Sequence, residues 1–130
     1  MFVSEGFGME QIPPAVRKCF EAAIYLPMLL TVLEKDYALL EHGEFKLKGP
    51  YLLLVQETRE RVEKDLKKAK AYLREHGLSV VRTGRDDLFT EYQFHYVKAT
   101  MVRRYSNIRL RNQSERLLEI YLRRTVKAVD

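Results

Sequence analysis

The stretch that decides the fold runs from Tyr51 to Leu73 and reads YLLLVQETRERVEKDLKKAKAYL. Within it, positions recur at alternating steps of three and four residues, which places them on one face of a helix. The pattern predicts a helix of about 26 residues, or roughly 39 Å at 1.5 Å per residue. The residues of this face, named the heptad seam, are Leu52, Val55, Arg59, Val62, Leu66, Ala69 and Leu73.

The heptad seam leads to a hypothesis about function. Because the same spacing occurs where helices of two chains pack together, we expect the seam to join copies of this chain into a homo-oligomer. Arg59 is the one charged residue of the seam. If the seam is buried, Arg59 must pair with a carboxylate, since an unpaired buried charge is very costly.

A second apolar stripe precedes the seam. It begins after Pro13 and Pro14, because proline fits the first turn of a helix, and it ends at Gly43, a residue that tolerates the cap conformation. Pro27 lies inside this stripe and leaves two alternatives open, one kinked helix or two helices. We favour the kink, because no glycine lies near Pro27. Residues 44–48 alternate in polarity and are either a short edge strand or an extended link.

The part of the chain after the seam combines two periods. β-Branched residues on both sides of a turn that contains Gly84 predict a β-hairpin at about residues 78–97. From about residue 97 the apolar positions follow a helical spacing, which predicts helix up to about residue 128. Asn112 offers a break, so one bent helix and two helices both remain open. A hairpin alone is marginally stable and must therefore lie on the helices.

Together these elements predict a mostly α (α+β) fold, an antiparallel helix core with one β-hairpin packed on it. The 130 residues, 46% hydrophobic and 32% charged, have the composition of one globular domain. We predict a flexible N-terminus at residues 1–11 and a single domain at residues 12–130.

The composition also indicates in which cellular compartment the protein resides. A single cysteine, Cys19, excludes an internal disulfide and a four-cysteine zinc site, and it suits a reducing environment. The longest apolar run, residues 24–33, is far shorter than the roughly 20 residues that a membrane helix needs. The N-terminus has no basic start of the kind found in secretory signals. We expect a cytoplasmic protein without a membrane partner.

The sequence contains no recognisable reaction centre. Cys19 lies on the apolar stripe of the first helix, so a buried and inert thiol is expected. The three histidines, His42, His76 and His95, do not have metal-ligand spacing, and Asp86–Asp87 falls in a turn, where aspartate bonds to nearby backbone. We therefore expect a protein that is not an enzyme and has no cofactor or metal. Its expected partners are a second copy and an unidentified protein.

The charge distribution supports an alternative function. The net charge is +5, and residues 97–130 carry nine basic and three acidic side chains. A one-sided basic segment of this kind can bind nucleic acid. The alternative is a nucleic-acid-binding regulator that uses the basic residues Lys98, Arg103, Arg104, Arg109 and Arg111. If this segment is helical, Arg104 and Arg111 are seven residues apart and share a face that can bind phosphates, with Arg103 beside them. The neighbouring aromatic residues Tyr92, Phe94 and Tyr96 either stack on bases or cover a core, and their spacing favours the core.

Two resemblances complete the sequence evidence. The order of helices and hairpin resembles a winged-helix domain, with residues 66–81 similar to a recognition helix that runs into a wing. The unbroken seam, however, leaves no room for the turn that this motif requires. The blocks Ile24–Met28, Phe45–Tyr51, Phe89–Tyr92 and Arg109–Asn112 resemble a family of small uncharacterised proteins of Bacillus and related Firmicutes. This second resemblance implies a bacterial cytosolic origin and assigns no catalytic or binding residues.

Overall fold

A computed structural model describes residues 12–128 as three helices and a three-stranded sheet. The N-terminus predicted to be flexible, residues 1–11, lies outside the described residues. The mostly α (α+β) class is confirmed, because three long helices pack together and carry one antiparallel sheet. In chain order the elements are α1 (Pro14–His42), α2 (Lys48–Glu75), β1 (Ser79–Arg85), β2 (Phe89–Tyr96), β3 (Ala99–Ser106) and α3 (Asn107–Lys127).

Helices α1 and α2 form an antiparallel pair over nearly their full length. Pro27 lies within α1, so of the two alternatives the chain adopts a single helix there. Thr31, four residues later, donates its hydroxyl to the Pro27 carbonyl. Residues 43–47 join the two helices as an irregular link, and the edge strand considered for residues 44–48 is absent.

The ion pairing expected of Arg59 is confirmed. Its guanidinium lies 3.1 Å from Glu63 on the next turn of α2 and 3.5 Å from Glu34 on α1. Arg59 is half-buried, so its aliphatic stem completes the seam while its charge reaches these two carboxylates at the edge of the helix pair.

The hairpin predicted at about residues 78–97 is incomplete, because a third strand follows it. Val97 adopts a positive φ of 55° in a tight turn, and the chain reverses so that β3 pairs with β2 from Ala99 to Ser106. The helix expected from residue 97 therefore begins only at Asn107, where the Ser106 hydroxyl accepts a hydrogen bond from the Arg109 amide at 3.0 Å. It then continues without a break through Asn112.

The core has two parts that meet along α1. At the sheet end, Phe20 of α1 packs on Phe94 of β2 with ring centroids 4.9 Å apart. Between the helices, apolar residues of α1 and α2 pack with Tyr121 of α3. Tyr121 donates its hydroxyl to Asp65 of α2 at 2.6 Å. These contacts use the inward faces of all three helices.

A polar contact joins α3 to α2 inside this core. The hydroxyl oxygens of Thr58 and Thr125 are 2.9 Å apart and buried. Thr125 also donates to the Tyr121 carbonyl, one turn before it on α3, at 2.9 Å. Both hydroxyls are therefore satisfied without water, as buried polar groups must be.

The fold predicts a large effect for one core substitution. Phe20→Ala removes a fully buried ring from its contact with Phe94 and leaves a cavity. We expect it to lower the free energy of unfolding by about 3–5 kcal/mol. Urea denaturation followed by circular dichroism measures this change. Leu88→Ala, at an exposed turn position, is the control and should change the unfolding free energy by less than about 0.5 kcal/mol. Equal effects of the two substitutions would contradict this packing.

Candidate functional site

The heptad seam lies inside the chain. Val55, Val62 and Leu66 are buried in the cluster that contains Leu29 and Leu33 of α1. The remaining members are Leu73 and Ala69, which are buried, and Leu52 and Arg59, which are half-buried. Because α1 of the same chain covers it, the seam does not present an exposed surface to a second copy. Self-association requires a different part of the molecule.

Such a surface exists where α1 and α2 extend beyond α3. The Thr58–Thr125 contact lies near the end of α3, and α2 continues from there to Lys48, about ten residues or 15 Å away. Large apolar side chains are exposed on this extension. We name the set the apolar tip, and its members are Leu39 (70% exposed), Phe45 (47%), Leu47 (75%) and Tyr51 (51%).

The apolar tip continues the surfaces that α3 covers nearer the sheet. Tyr51 precedes Thr58 by seven residues and so lies on the same side of α2. Leu39 follows Met28 by eleven residues, about three turns, and Met28 contacts Ser114 of α3 at 3.7 Å. The ring of Phe45 meets that of Tyr51 at a centroid distance of 6.0 Å. The tip is therefore an open end of the helix-packing surface.

The apolar tip does not follow from the periodicity of the sequence. Its signal was an excess of apolar residues at positions outside the two helical stripes, such as Leu39 beside Leu40 and Leu47 in the link. The helical periodicity of the sequence does not assign such residues to a buried face of either helix. Whether they are covered depends on the length of α3, and a local pattern does not contain that length.

The arginines predicted to share one helical face do not do so. Arg103 and Arg104 are neighbours on β3 and point to opposite faces of the sheet. Arg104 lies over the ring of Phe89 at 4.5 Å and 3.9 Å from Asp86. Arg111 lies on α3, a different element from the strand that carries Arg104, so the two do not share a helical face. Lys98 lies in the β2–β3 turn, five residues from Arg103 along the strand. The predicted face is wrong because residues 99–106 form a strand.

Four arginines instead gather at one end of the helix-facing side of the sheet. Arg82, Tyr92 and Arg103 are directly opposite one another on the three strands, so they share that side. In the same way Arg85 and Tyr105 flank Thr90. With one tyrosine from α1 and one arginine from α3, this surface is named the arginine–tyrosine face, and its members are Tyr25, Arg82, Arg85, Tyr92, Arg103, Tyr105 and Arg109.

The tyrosines form the floor of the arginine–tyrosine face. The rings of Tyr92 and Tyr105 meet edge to face at 5.7 Å, and Arg103 lies 5.6 Å from the Tyr105 ring. Burial raises the pKa of Tyr105 to about 12, against an opposing effect of the nearby Arg103 and Arg109 charges. Burial likewise raises the pKa of Tyr25 and Tyr92. These phenols are therefore neutral at physiological pH.

The arginines of this face are not neutralised by partners. Within residues 12–128, Arg82, Arg85, Arg103 and Arg109 form no ion pair. Glu21 is the acidic residue close enough to influence Tyr25 and Tyr105. Asp86 and Glu91 line a surface pocket with Arg85, so the four guanidinium groups outnumber these two carboxylates and Glu21, which leaves the face with a net positive charge.

A corner of hydrogen bonds holds the face together. Asn107, the first residue of α3, donates its side-chain amide to the Asp86 carbonyl at 2.9 Å and accepts from Thr90 at 2.7 Å. The Asp86 carboxylate accepts from the amides of Phe89 and Leu88, and these bonds lower its pKa. The corner joins the β1–β2 turn to α3, so Asp86 has the local backbone role expected of a turn aspartate.

The remaining candidate residues have structural surroundings. Cys19 is half-buried, and burial raises the pKa of its thiol. His76 Nδ1 lies 2.8 Å from the Tyr72 carbonyl, and His95 Nδ1 lies 3.1 Å from the Thr100 hydroxyl. Phe94 is fully buried, which fits the core interpretation of the β2 aromatic residues. In the described part of the chain, no three His, Cys, Asp or Glu side chains are grouped to hold a metal ion.

The helices of residues 12–128 include none with the length and apolar character needed to cross a membrane.

Comparison with known proteins shows similarity to a bacterial family. The family described as "YhjD protein" matches residues 11–126. The chain is 34% identical over 114 residues to "Uncharacterized protein YhjD" of Bacillus subtilis (strain 168), covering 88% of this chain and 95% of that relative. No solved structure matches the chain. The resemblance to small uncharacterised Bacillus proteins is therefore confirmed.

The buried phenols predict a decline of stability at high pH. Because the pKa of Tyr105 in the folded chain, about 12, exceeds its ordinary value of 10.0, folding favours the protonated phenol. This contribution is fully present below pH 10 and is lost as the pH rises from 10 to 12. We expect Tyr105→Phe to make the fall in unfolding free energy between about pH 10 and 11 shallower than in the wild type.

Urea denaturation at three pH values from about pH 9 to 11 measures this decline. Tyr51→Phe, which removes an exposed hydroxyl at the apolar tip, is the matched control and should decline as the wild type does. An unchanged slope in Tyr105→Phe would show that this phenol does not resist ionisation in the folded chain.

Proposed function

We propose that this chain, which belongs to the YhjD protein family, is a non-enzymatic cytoplasmic protein-interaction module that self-associates through its apolar tip. The observation that carries the proposal is the exposure of Leu39, Phe45, Leu47 and Tyr51 together at the end of the α1–α2 pair. Clustered exposed apolar side chains of this size mark interaction surfaces, whereas single ones do not. The cytoplasmic location is supported by the single cysteine.

A second copy of the chain fits the charges around the tip. Glu41 lies near the end of α1, Glu44 and Lys46 lie in the link, and Lys48 is the first residue of α2, where its ammonium donates to the Glu41 carbonyl at 2.8 Å. In a two-fold dimer the same surface meets itself, so a patch with both signs can pair its acidic residues with the lysines of the other copy. A partner of one dominant charge would not match this arrangement.

The shape of the tip suggests how the copies would meet. Nearer the sheet, α3 covers the side of the helix pair on which Leu39 and Tyr51 continue. A helix of the second copy would occupy the corresponding position at the tip. Two α1–α2 extensions packed in this way would form a short four-helix arrangement, in which each copy covers the other's apolar side chains.

The test is the mass of the protein in solution. At roughly 10 to 100 µM, sedimentation equilibrium should give a mass twice that of the 15.4 kDa chain. Leu39→Ser combined with Tyr51→Ser removes two anchors from the tip and should give the mass of one chain. If that double variant loses its helical circular dichroism, Leu47→Ser alone, in the link between helices, takes its place.

The matched control is Leu88→Ser combined with Val97→Ser. These side chains are 68% and 77% exposed, comparable to the tip, but lie in turns of the sheet. The control should retain the dimeric mass. A wild-type protein that sediments as a single chain throughout, or a control that dissociates as readily as the tip variant, would refute self-association through the tip.

A further inference from the structure

We propose that the arginine–tyrosine face binds the phosphate backbone of nucleic acid without reading its base sequence. Its four guanidinium groups come from three elements of the fold, β1 (Arg82 and Arg85), β3 (Arg103) and α3 (Arg109). This surface differs from the basic helix considered in the sequence analysis. It contains two residues of that set, adds two from β1, and excludes Arg104, Arg111 and Lys98.

The spacing of the arginines suits a regular polyanion. Arg82 and Arg103 are separated by the width of two strand spacings, about 10 Å, with Tyr92 between them. Arg82 and Arg85 are opposite Tyr92 and Thr90, which are two residues or about 7 Å apart along β2, and a bulge between Arg82 and Gly84 places both arginines on the same side of the sheet. A duplex presents several phosphates over an area of these dimensions. Because strands carry the arginines, the distances between their backbone positions are fixed. Fixed distances favour a ligand with regularly spaced phosphates rather than mobile lipid headgroups.

The guanidinium groups are available to a ligand. None of the four forms an ion pair within the described residues, so binding does not have to break one. Arg82, Arg85 and Arg109 are exposed, and Arg103 is half-buried. The hydrogen bonds of Asn107 to the β1–β2 turn hold Arg85 and Arg109 on one rigid platform. Arginine also binds a phosphate through two parallel hydrogen bonds, which lysine does not do.

The tyrosines explain why the contact would be to backbone rather than to bases. Tyr25 and Tyr92 are each only 6% exposed, so their rings are not open for a base to stack on. Arg103 lies over the ring of Tyr105. Proteins that bind single strands through bases need open aromatic faces. Phosphate contacts alone give affinity without sequence preference and a strong dependence on salt.

The experiment is a fluorescence-anisotropy titration of the full chain against a labelled random-sequence DNA duplex, between about 50 and 200 mM salt. Each phosphate contact contributes about −0.9 to the slope of log affinity against log salt, so four contacts predict a slope of about −3.6. Arg82→Gln combined with Arg103→Gln should weaken binding at low salt and reduce the size of the slope by about 2.

Arg61→Gln combined with Arg111→Gln is the matched control, because it removes the same charge from exposed positions outside the face. It should keep the wild-type slope. If the first variant does not fold, as judged by circular dichroism, Arg85→Gln combined with Arg109→Gln tests the same face with exposed residues. The Leu39→Ser and Tyr51→Ser variant should still bind DNA, which separates this inference from the proposed self-association.

Three results would overturn the inference. The first is an absence of DNA binding at the lower salt concentration. The second is an equal loss of slope in the control and in the face variant. The third is binding to phosphatidylglycerol vesicles, with the same dependence on Arg82 and Arg103, by a protein that does not bind DNA. That last outcome would assign the face to a membrane surface.

Discussion

The packing of α2 on α1 is the constraint on which the rest of the structure depends. Val62 is fully buried between the helices, and the apolar residues around it continue along the shared face. Because this face is one long stripe, it holds the two helices side by side over nearly their full length. Within residues 12–128, the sheet and α3 then cover the pair at one end and leave the other end bare. Both surfaces for which we propose a binding role result from that asymmetry.

The helical part of the fold follows from local pattern. The step of three and four residues locates α2, and the prolines and Gly43 mark the ends of α1. The pairing of Arg59 could also be predicted, since a charge within a buried stripe requires a carboxylate. What the pattern does not contain is the partner of the stripe. The heptad seam is consistent with a second chain or with α1, and only the complete fold decides for α1.

The third strand shows why the arginines were misplaced. Met101 and Tyr105 are four residues apart, which suits one face of a helix, but an even separation also places both on one side of a strand. The decisive event is the turn at Val97, a β-branched residue in a left-handed conformation that local propensity disfavours. The pairing of β3 with the whole length of β2 outweighs that local cost. Once residues 99–106 are extended, Arg103 and Arg104 face opposite ways.

The Thr58–Thr125 contact has a consequence for the length of the bare end. Hydrophobic stripes alone would tolerate a slide of α3 along α2 by one turn, about 5.4 Å, because similar side chains would meet again. The two hydroxyls would no longer meet, so their mutual hydrogen bond, worth about 0.5–1.5 kcal/mol net, would be lost, while each keeps its contact with a carbonyl one turn before it on its own helix. This pair of threonines therefore helps to set the register of α3 relative to α2. By setting where α3 ends, it determines how much of the helix pair is left for another molecule to cover.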